Sequence, residues 1–183
     1  MTTGKRQGNG ARRGTGMLRV LCCLLLLLPP SVGQTEEAFQ IKAAFLYNFT
    51  KFISWPAAME QQGGDLRLCL FNGNPFGQYV YQLAGRKVRN FKLQVLEPAS
   101  TAELATCNIV FMTGTDRVGH ALASVAKLPV LTVSDQSGFA SNGGAIELIS
   151  EDNRIRFDVN LQRVRDSGLE MSSKLLQLAR QVR

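Results

Sequence analysis

The alternation of apolar and polar positions is densest between Leu128 and Asn160, and the rest of the chain builds towards this stretch. Pro129-Val130-Leu131-Thr132-Val133 is a short, β-branched apolar run, which predicts a strand buried on both faces. Ser134-Asp135 ends it, because these side chains bond nearby backbone and favour a turn. A loop with Gly138, Gly143 and Gly144 follows. Ala145–Ile149 and Arg154–Val159 then alternate about a Glu-Asp-Asn turn, predicting an antiparallel hairpin with one solvated face.

Upstream, Gln34–Trp55 carries Phe39, Ala43, Leu46, Phe49 or Thr50, and Ile53 at helical spacing. Thr35 is placed to cap this helix and Pro56 to end it, with Phe45, Tyr47, Phe52 and Trp55 adding aromatic surface on more than one side. Gln61–Asp65 reads as a loop and Leu66–Phe71 as the first strand. Pro75–Leu83 reads as a helix with Phe76, Tyr79, Val80 and Leu83 inward, and Phe91–Leu96 as an edge-like strand. Thr101–Ala105 gives one or two helical turns, and Cys107–Met112 the third strand. A helix capped by Asp116 runs to Lys127, and a terminal helix spans Ser172–Val182. Strands alternating with helices predict right-handed crossovers about a parallel sheet. The expected fold is α/β: an open three-layer sandwich with a mostly parallel sheet, finished by a C-terminal antiparallel hairpin and helix.

The first 33 residues do not fit that pattern. They hold five bases and no acid, then an apolar run from Val20 to Leu28 and Pro29-Pro30-Ser31-Val32-Gly33. This is the layout of a secretory signal peptide cleaved after Gly33, and the run is far short of the roughly 20 residues a membrane-spanning helix needs. Met17 would begin a signal of more ordinary length. Residues 34–183 are then expected to form one exported domain; the resemblance given below places it in the periplasm.

Removing the segment changes the charge picture. The chain has 21 Lys and Arg against 14 Asp and Glu, a net +7. Without the five early bases the balance falls to +2, so no nucleic-acid reading can rest on charge. Cys69 and Cys107 are the cysteines left after processing. In an oxidising compartment they form either a disulfide or two separate buried thiols.

Ligands in open α/β sheets bind outside the carboxyl ends of the strands. Here those ends hold Asn72, Gly73, Thr113, Gly114, Ser134 and Asp135, a candidate ligand pocket. The chemistry for catalysis is thin. Gly73-Asn74-Pro75-Phe76-Gly77 lacks the dinucleotide fingerprint, and Gly114–His120 has phosphate-loop glycine spacing but His120 where lysine is needed. A triad would have to join His120, the one histidine, to Ser134 and Asp135. Glu147, Glu151, Asp152 and Asp158 read as a solvated face and a turn rather than a carboxylate pair. No metal site, no cofactor and no enzyme is expected. Phe139, Ile146 and Leu148, around the glycine loop and hairpin, are the candidate exposed surface for a partner.

Several strings then point to a family. They are Ile41-Lys42-Ala43-Ala44-Phe45-Leu46-Tyr47-Asn48-Phe49-Thr50-Lys51-Phe52 with Trp55-Pro56, Leu68-Cys69-Leu70 before Asn72-Gly73, and Cys107-Asn108-Ile109. Leu131–Asp135, Phe139, Gly143-Gly144, Arg156–Asn160 and Ser172–Leu176 follow in order. Together they resemble the YfiR-like family of bacterial periplasmic proteins across the whole processed chain. The resemblance implies a non-enzymatic periplasmic repressor that binds the periplasmic domain of an inner-membrane diguanylate cyclase and holds down cyclic di-GMP and biofilm formation. It also implies a homodimer and a structural disulfide between Cys69 and Cys107. Two departures stand out. Asn108 occupies a position where many relatives have histidine, and Phe139–Leu148 lacks the cysteines of the repressor's second disulfide. The alternative reading is a periplasmic module that binds a small ligand at the strand ends.

Overall fold

A computed structural model describes residues 33–152 and 154–183. The segment read as a signal peptide lies outside the described residues, apart from Gly33.

Helix α1, Gly33–Phe52, forms because its apolar positions recur at helical spacing, with Glu36 in the first turn and Lys51 in the last. It starts two residues before the expected cap Thr35 and stops three residues short of Trp55. The early stop has a cause: β1, Ile53–Ser54, pairs antiparallel with β9, Glu170–Met171, and Ser172 N–H donates to the Phe52 carbonyl. A short helix α2, Ala57–Gln62, runs into the start of the stretch read as a loop, Gln61–Asp65, and the next strand already begins at Gly64.

The main sheet has eight strands among the described residues. In chain order they are β2 (Gly64–Phe71), β3 (Lys87–Val88), β4 (Phe91–Leu96), β5 (Ile109–Met112), β6 (Leu131–Ser134), β7 (Ile146–Glu151), β8 (Arg154–Val159) and β10 (Gln181–Val182). Across the sheet the order is β10-β8-β7-β6-β5-β2-β4-β3. The pairs β2/β4, β2/β5, β5/β6, β6/β7 and β8/β10 are parallel, while β3/β4 and the hairpin β7/β8 are antiparallel. The α/β class, the largely parallel sheet and the antiparallel pair follow the expectation.

Both faces are covered, so β5 and β6 are buried throughout. One face carries Leu66, Leu68, Leu70, Phe111, Val133 and Phe157 under α1. Phe157 meets Phe49 and Phe45 edge to face, with centroids 5.3 and 5.9 Å apart. The other face carries Cys69, Phe71, Val110 and Met112 under a 3₁₀ segment, Thr101–Thr106, and helix α3, Val118–Ser124.

Three helix expectations are corrected. Pro75–Leu83 is not a helix but two 3₁₀ turns, Gly77–Tyr79 and Tyr81–Leu83, because Gly77 takes φ +55° and breaks the repeat. Phe76, Val80 and Leu83 still reach the core. Asp116 does not cap α3, which begins after Arg117 with no side-chain cap; Asp116 accepts from Thr115 Oγ1 instead. Ser172–Val182 is not one helix either. A short α5, Ser173–Leu176, is capped by Ser172, and the chain then enters β10. The sequence reading also missed α4, Leu161–Asp166, although Asn160 caps it by accepting from Arg163 N–H.

Cys69 and Cys107 are bridged, with Cα atoms 6.0 Å apart and a sequence separation of 38. The bond links β2 to the approach of β5, two strands already in register from Leu68↔Ile109 to Phe71↔Met112. Asn108 extends that ladder, since its Oδ1 accepts from Arg67 N–H at 2.8 Å and its own N–H donates to the Arg67 carbonyl. Closing a loop of this length contributes about 4 kcal/mol in the chain-entropy account. Cys69→Ser should therefore lower the urea midpoint markedly, and reductant should bring the parent down to the same value. Equal midpoints under oxidising conditions would show the bridge to be dispensable.

Candidate functional site

The chain lays β2, then β4 on one side, then β5 on the other, so the topological switch point lies between β2 and β5. A ligand crevice is expected there. Thr113 closes it: its N–H and its Oγ1 both donate to the Phe71 carbonyl, at 3.0 and 3.1 Å. Asn72 and Gly73 turn away just beyond β2, with φ of 66° and 123°, and are exposed like Gly114. One strand over, Ser134 is fully buried; its Oγ donates to the Met112 carbonyl at 2.7 Å and accepts from Gln136 N–H. Asp135 pairs with Lys42 of α1 at 2.6 Å. The six predicted strand-end residues thus share one end of the sheet, but Thr113, Ser134 and Asp135 bond to other parts of the protein. His120 stands exposed on α3 and Ser134 is sealed.

Beside these strand ends lies a cavity of about 500 Å³ between α3 and the glycine loop, lined by Val118, Leu122, Phe139, Gln136 and Asn142 among others. The loop is held from beneath by Glu147, whose carboxylate accepts from Gly138 N–H at 2.9 Å and Ala140 N–H at 3.1 Å. Glu147 faces Asp158 across the β7/β8 ladder. Asp158 is 1 % exposed and takes a two-pronged contact from Arg180, at 2.9 and 2.8 Å. Bonding to Asp158 pushes the Arg180 guanidinium above its ordinary value. Burial acts the opposite way on Arg163, which it lowers. Its guanidinium donates to the Val125 and Ala126 carbonyls after α3.

Two further expectations are corrected here. Glu147 and Asp158 are not on a solvated face, because the glycine loop and the C-terminal arginine fold over that side of the hairpin. The hairpin is wet at its far end instead, at Ser150, Glu151, Asp152 and Arg154. Nor do Phe139, Ile146 and Leu148 form an exposed surface: they are 3 %, 0 % and 1 % exposed. Ile146 and Leu148 pack under α1, and Phe139 packs on the disulfide side of the sheet.

A second concavity, of about 530 Å³, lies on the opposite side of the sheet, between α1 and the two 3₁₀ turns. Tyr47 projects into it with Lys51 Nζ 4.1 Å and the Arg86 guanidinium 5.1 Å from its ring centroid. The sequence reading missed it. The signal available was the aromatic excess of α1, more than one sheet-facing stripe can use. Among the described residues there is no cluster of metal-ligating side chains and no helix long and apolar enough to cross a membrane.

The family described as YfiR/HmsC-like matches residues 39–180, from the first turns of α1 to the threshold of β10. The chain belongs to the YfiR/HmsC-like family. That family is periplasmic, and it is known for regulation of diguanylate cyclases rather than for catalysis. Among solved structures, the chain is similar to the ABC domain in complex with L-Trp from Streptococcus pneumonia, at 10 % identity and a TM-score of 0.41. The match covers 64 % of this chain and 55 % of that one, so the chain spans about half the length of that structure. A likeness of this size carries no argument about fold or ligand.

Among the described glycines of this YfiR/HmsC-like chain, Gly144 is the most crowded. A Cβ there would stand 2.1 Å from the Phe139 ring. Gly144→Ala should cost about 1–3 kcal/mol by overpacking, read as a lower melting temperature. Gly119→Ala on open α3 surface serves as the control, expected neutral or up to about 1 kcal/mol stabilising.

Proposed function

We propose that this chain is a periplasmic regulatory protein that binds an inner-membrane signalling partner, a diguanylate cyclase with a periplasmic domain, and so sets cyclic di-GMP output. The observation that carries the reading is the family match from residue 39 to residue 180, which spans nearly all the described residues. The bonding of Thr113, Ser134 and Asp135 within the protein supports a role in binding rather than turnover.

Such a protein works through a binding equilibrium. It must prefer the inactive form of the cyclase, and shifting a partner from almost all active to almost all inactive takes about 5.5 kcal/mol of differential affinity. Release of the chain then restores synthesis. The functional unit in this reading is a homodimer. Because Phe139–Leu148 holds no cysteine, control through a second disulfide at the glycine loop is not part of it.

Deleting the gene in its own host should raise cyclic di-GMP. The full chain should restore the lower level, and a version lacking residues 1–33 should not. Unchanged cyclic di-GMP in the deletion strain would remove the reading.

A second reading, a small-ligand sensing module, is favoured by the cavity beside α3. Its expected sign is a thermal shift of several degrees with a periplasmic metabolite at micromolar concentration, abolished by Leu122→Trp. Responses confined to millimolar concentrations would count against it.

A further inference from the structure

The groove between α1 and the two 3₁₀ turns differs from the strand ends in one respect: its carboxamides are unspent, although its tyrosine hydroxyls are not, since Tyr47 donates to the Lys87 carbonyl and Tyr79 to Glu36. The small side chains of Ala43 and Ala44 line the groove together with Leu83, which leaves room for a main chain to come close to α1 there. From Gln40 to Lys51 its α1 wall runs eleven residues, about 16 Å at the helical rise, which matches about five residues of extended chain. Gln40 and Asn48 on one wall and Gln82 on the other present carboxamides that make no hydrogen bond among the described residues. A carboxamide both donates and accepts, as the backbone of an extended segment requires.

Charge gives the groove a direction. Lys51 and Arg86 converge on the Tyr47 ring at one end, and among the described residues neither has a carboxylate within 4.0 Å. Two other cations near α1 are paired, Lys42 with Asp135 and Arg89 with Glu60. Two unneutralised cations held on one ring repel each other, and an anion placed between them relieves that cost. At the other end Glu36 accepts from the Tyr79 hydroxyl.

Resting on the regulatory reading above, we infer that this groove is the docking site for an extended, acidic segment of the protein partner. The segment lies along α1 with its Asp and Glu side chains at the Lys51–Arg86 end, and its backbone is held by the three carboxamides. Such contacts set partner choice and association rate, and they weaken with salt.

The test uses the full exported chain in its host, with a photo-crosslinking benzoylphenylalanine in place of Gln82 and, as control, of Ser150 on the exposed hairpin. Ultraviolet crosslinks from position 82 should map by mass spectrometry to a segment rich in Asp and Glu, with none from position 150. The paired Lys51→Glu and Arg86→Glu substitutions should reduce the crosslink about tenfold or more, because like charges would then face each other. Lys51→Arg with Arg86→Lys should keep it. A crosslink indifferent to charge reversal, one mapping to a segment without acidic residues, or none at all would overturn the inference. So would attachment of the purified chain to phosphatidylglycerol vesicles through these two cations without a protein crosslink. The deletion strain's cyclic di-GMP separates the two proposals. A charge-sensitive acidic crosslink with unchanged cyclic di-GMP keeps the groove and discards the cyclase; the converse discards the groove alone.

Discussion

Burying both faces of a parallel sheet is the constraint on which this structure depends. Strands β5 and β6 have no solvated side, so each face must carry an apolar layer, and the described residues have one long helix to supply it. Helix α1 seals one face with Ala43, Leu46 and Phe49. The other face receives only short pieces: the turns at Thr101–Thr106, the seven residues of α3, and the Phe139 ring. Fully burying one such apolar side chain contributes about 1.5–3 kcal/mol, and short pieces bring few of them. The disulfide lies on this thinner side and reinforces it by joining β2 to the approach of β5.

The same shortage of cover explains the polar chemistry near the hairpin. Beyond α3 no apolar layer reaches β7 and β8 on the disulfide side, and that surface is filled by Glu147, Asp158 and Arg180. Buried charges persist only when paired and hydrogen-bonded. Here each carboxylate accepts two hydrogen bonds, from two backbone N–H groups for Glu147 and from one guanidinium for Asp158. These groups hold down the glycine loop and the C-terminal strand, and their bonding capacity is used within the fold. The carboxamides without a partner among the described residues and the two cations on one ring lie elsewhere, on the outer flank of α1.

The strands were legible because their pattern is local. Leu66–Phe71, Phe91–Leu96 and Leu131–Val133 announce themselves through β-branched and apolar runs, and the hairpin through alternation. The connecting layer was not, because its form is decided by a few backbone positions and by distant contacts. Gly77 breaks what the spacing of Phe76, Val80 and Leu83 advertises as a helix. The span from Ser172 has the apolar repeat of a helix, yet β8 captures its end as a strand. Glu147 and Asp158 alternate with apolar neighbours as solvated residues do; only the fold reveals that a loop and an arginine cover them. Among the candidate residues, the six strand-end positions share one end of the sheet, and the cysteine pair is bridged. The Lys51–Tyr47–Arg86 arrangement was hidden, because Arg86 comes to α1 through two turns that sequence alone read wrongly.

The cysteine bridge has a consequence for how the domain acquires its final form. From Thr35 onward there are two thiols, so intramolecular oxidation has a single product. Four cysteines would allow three pairings and six would allow fifteen, most needing an isomerase to undo. This chain needs an oxidant but no proofreading, and a wrong bond would require a second molecule.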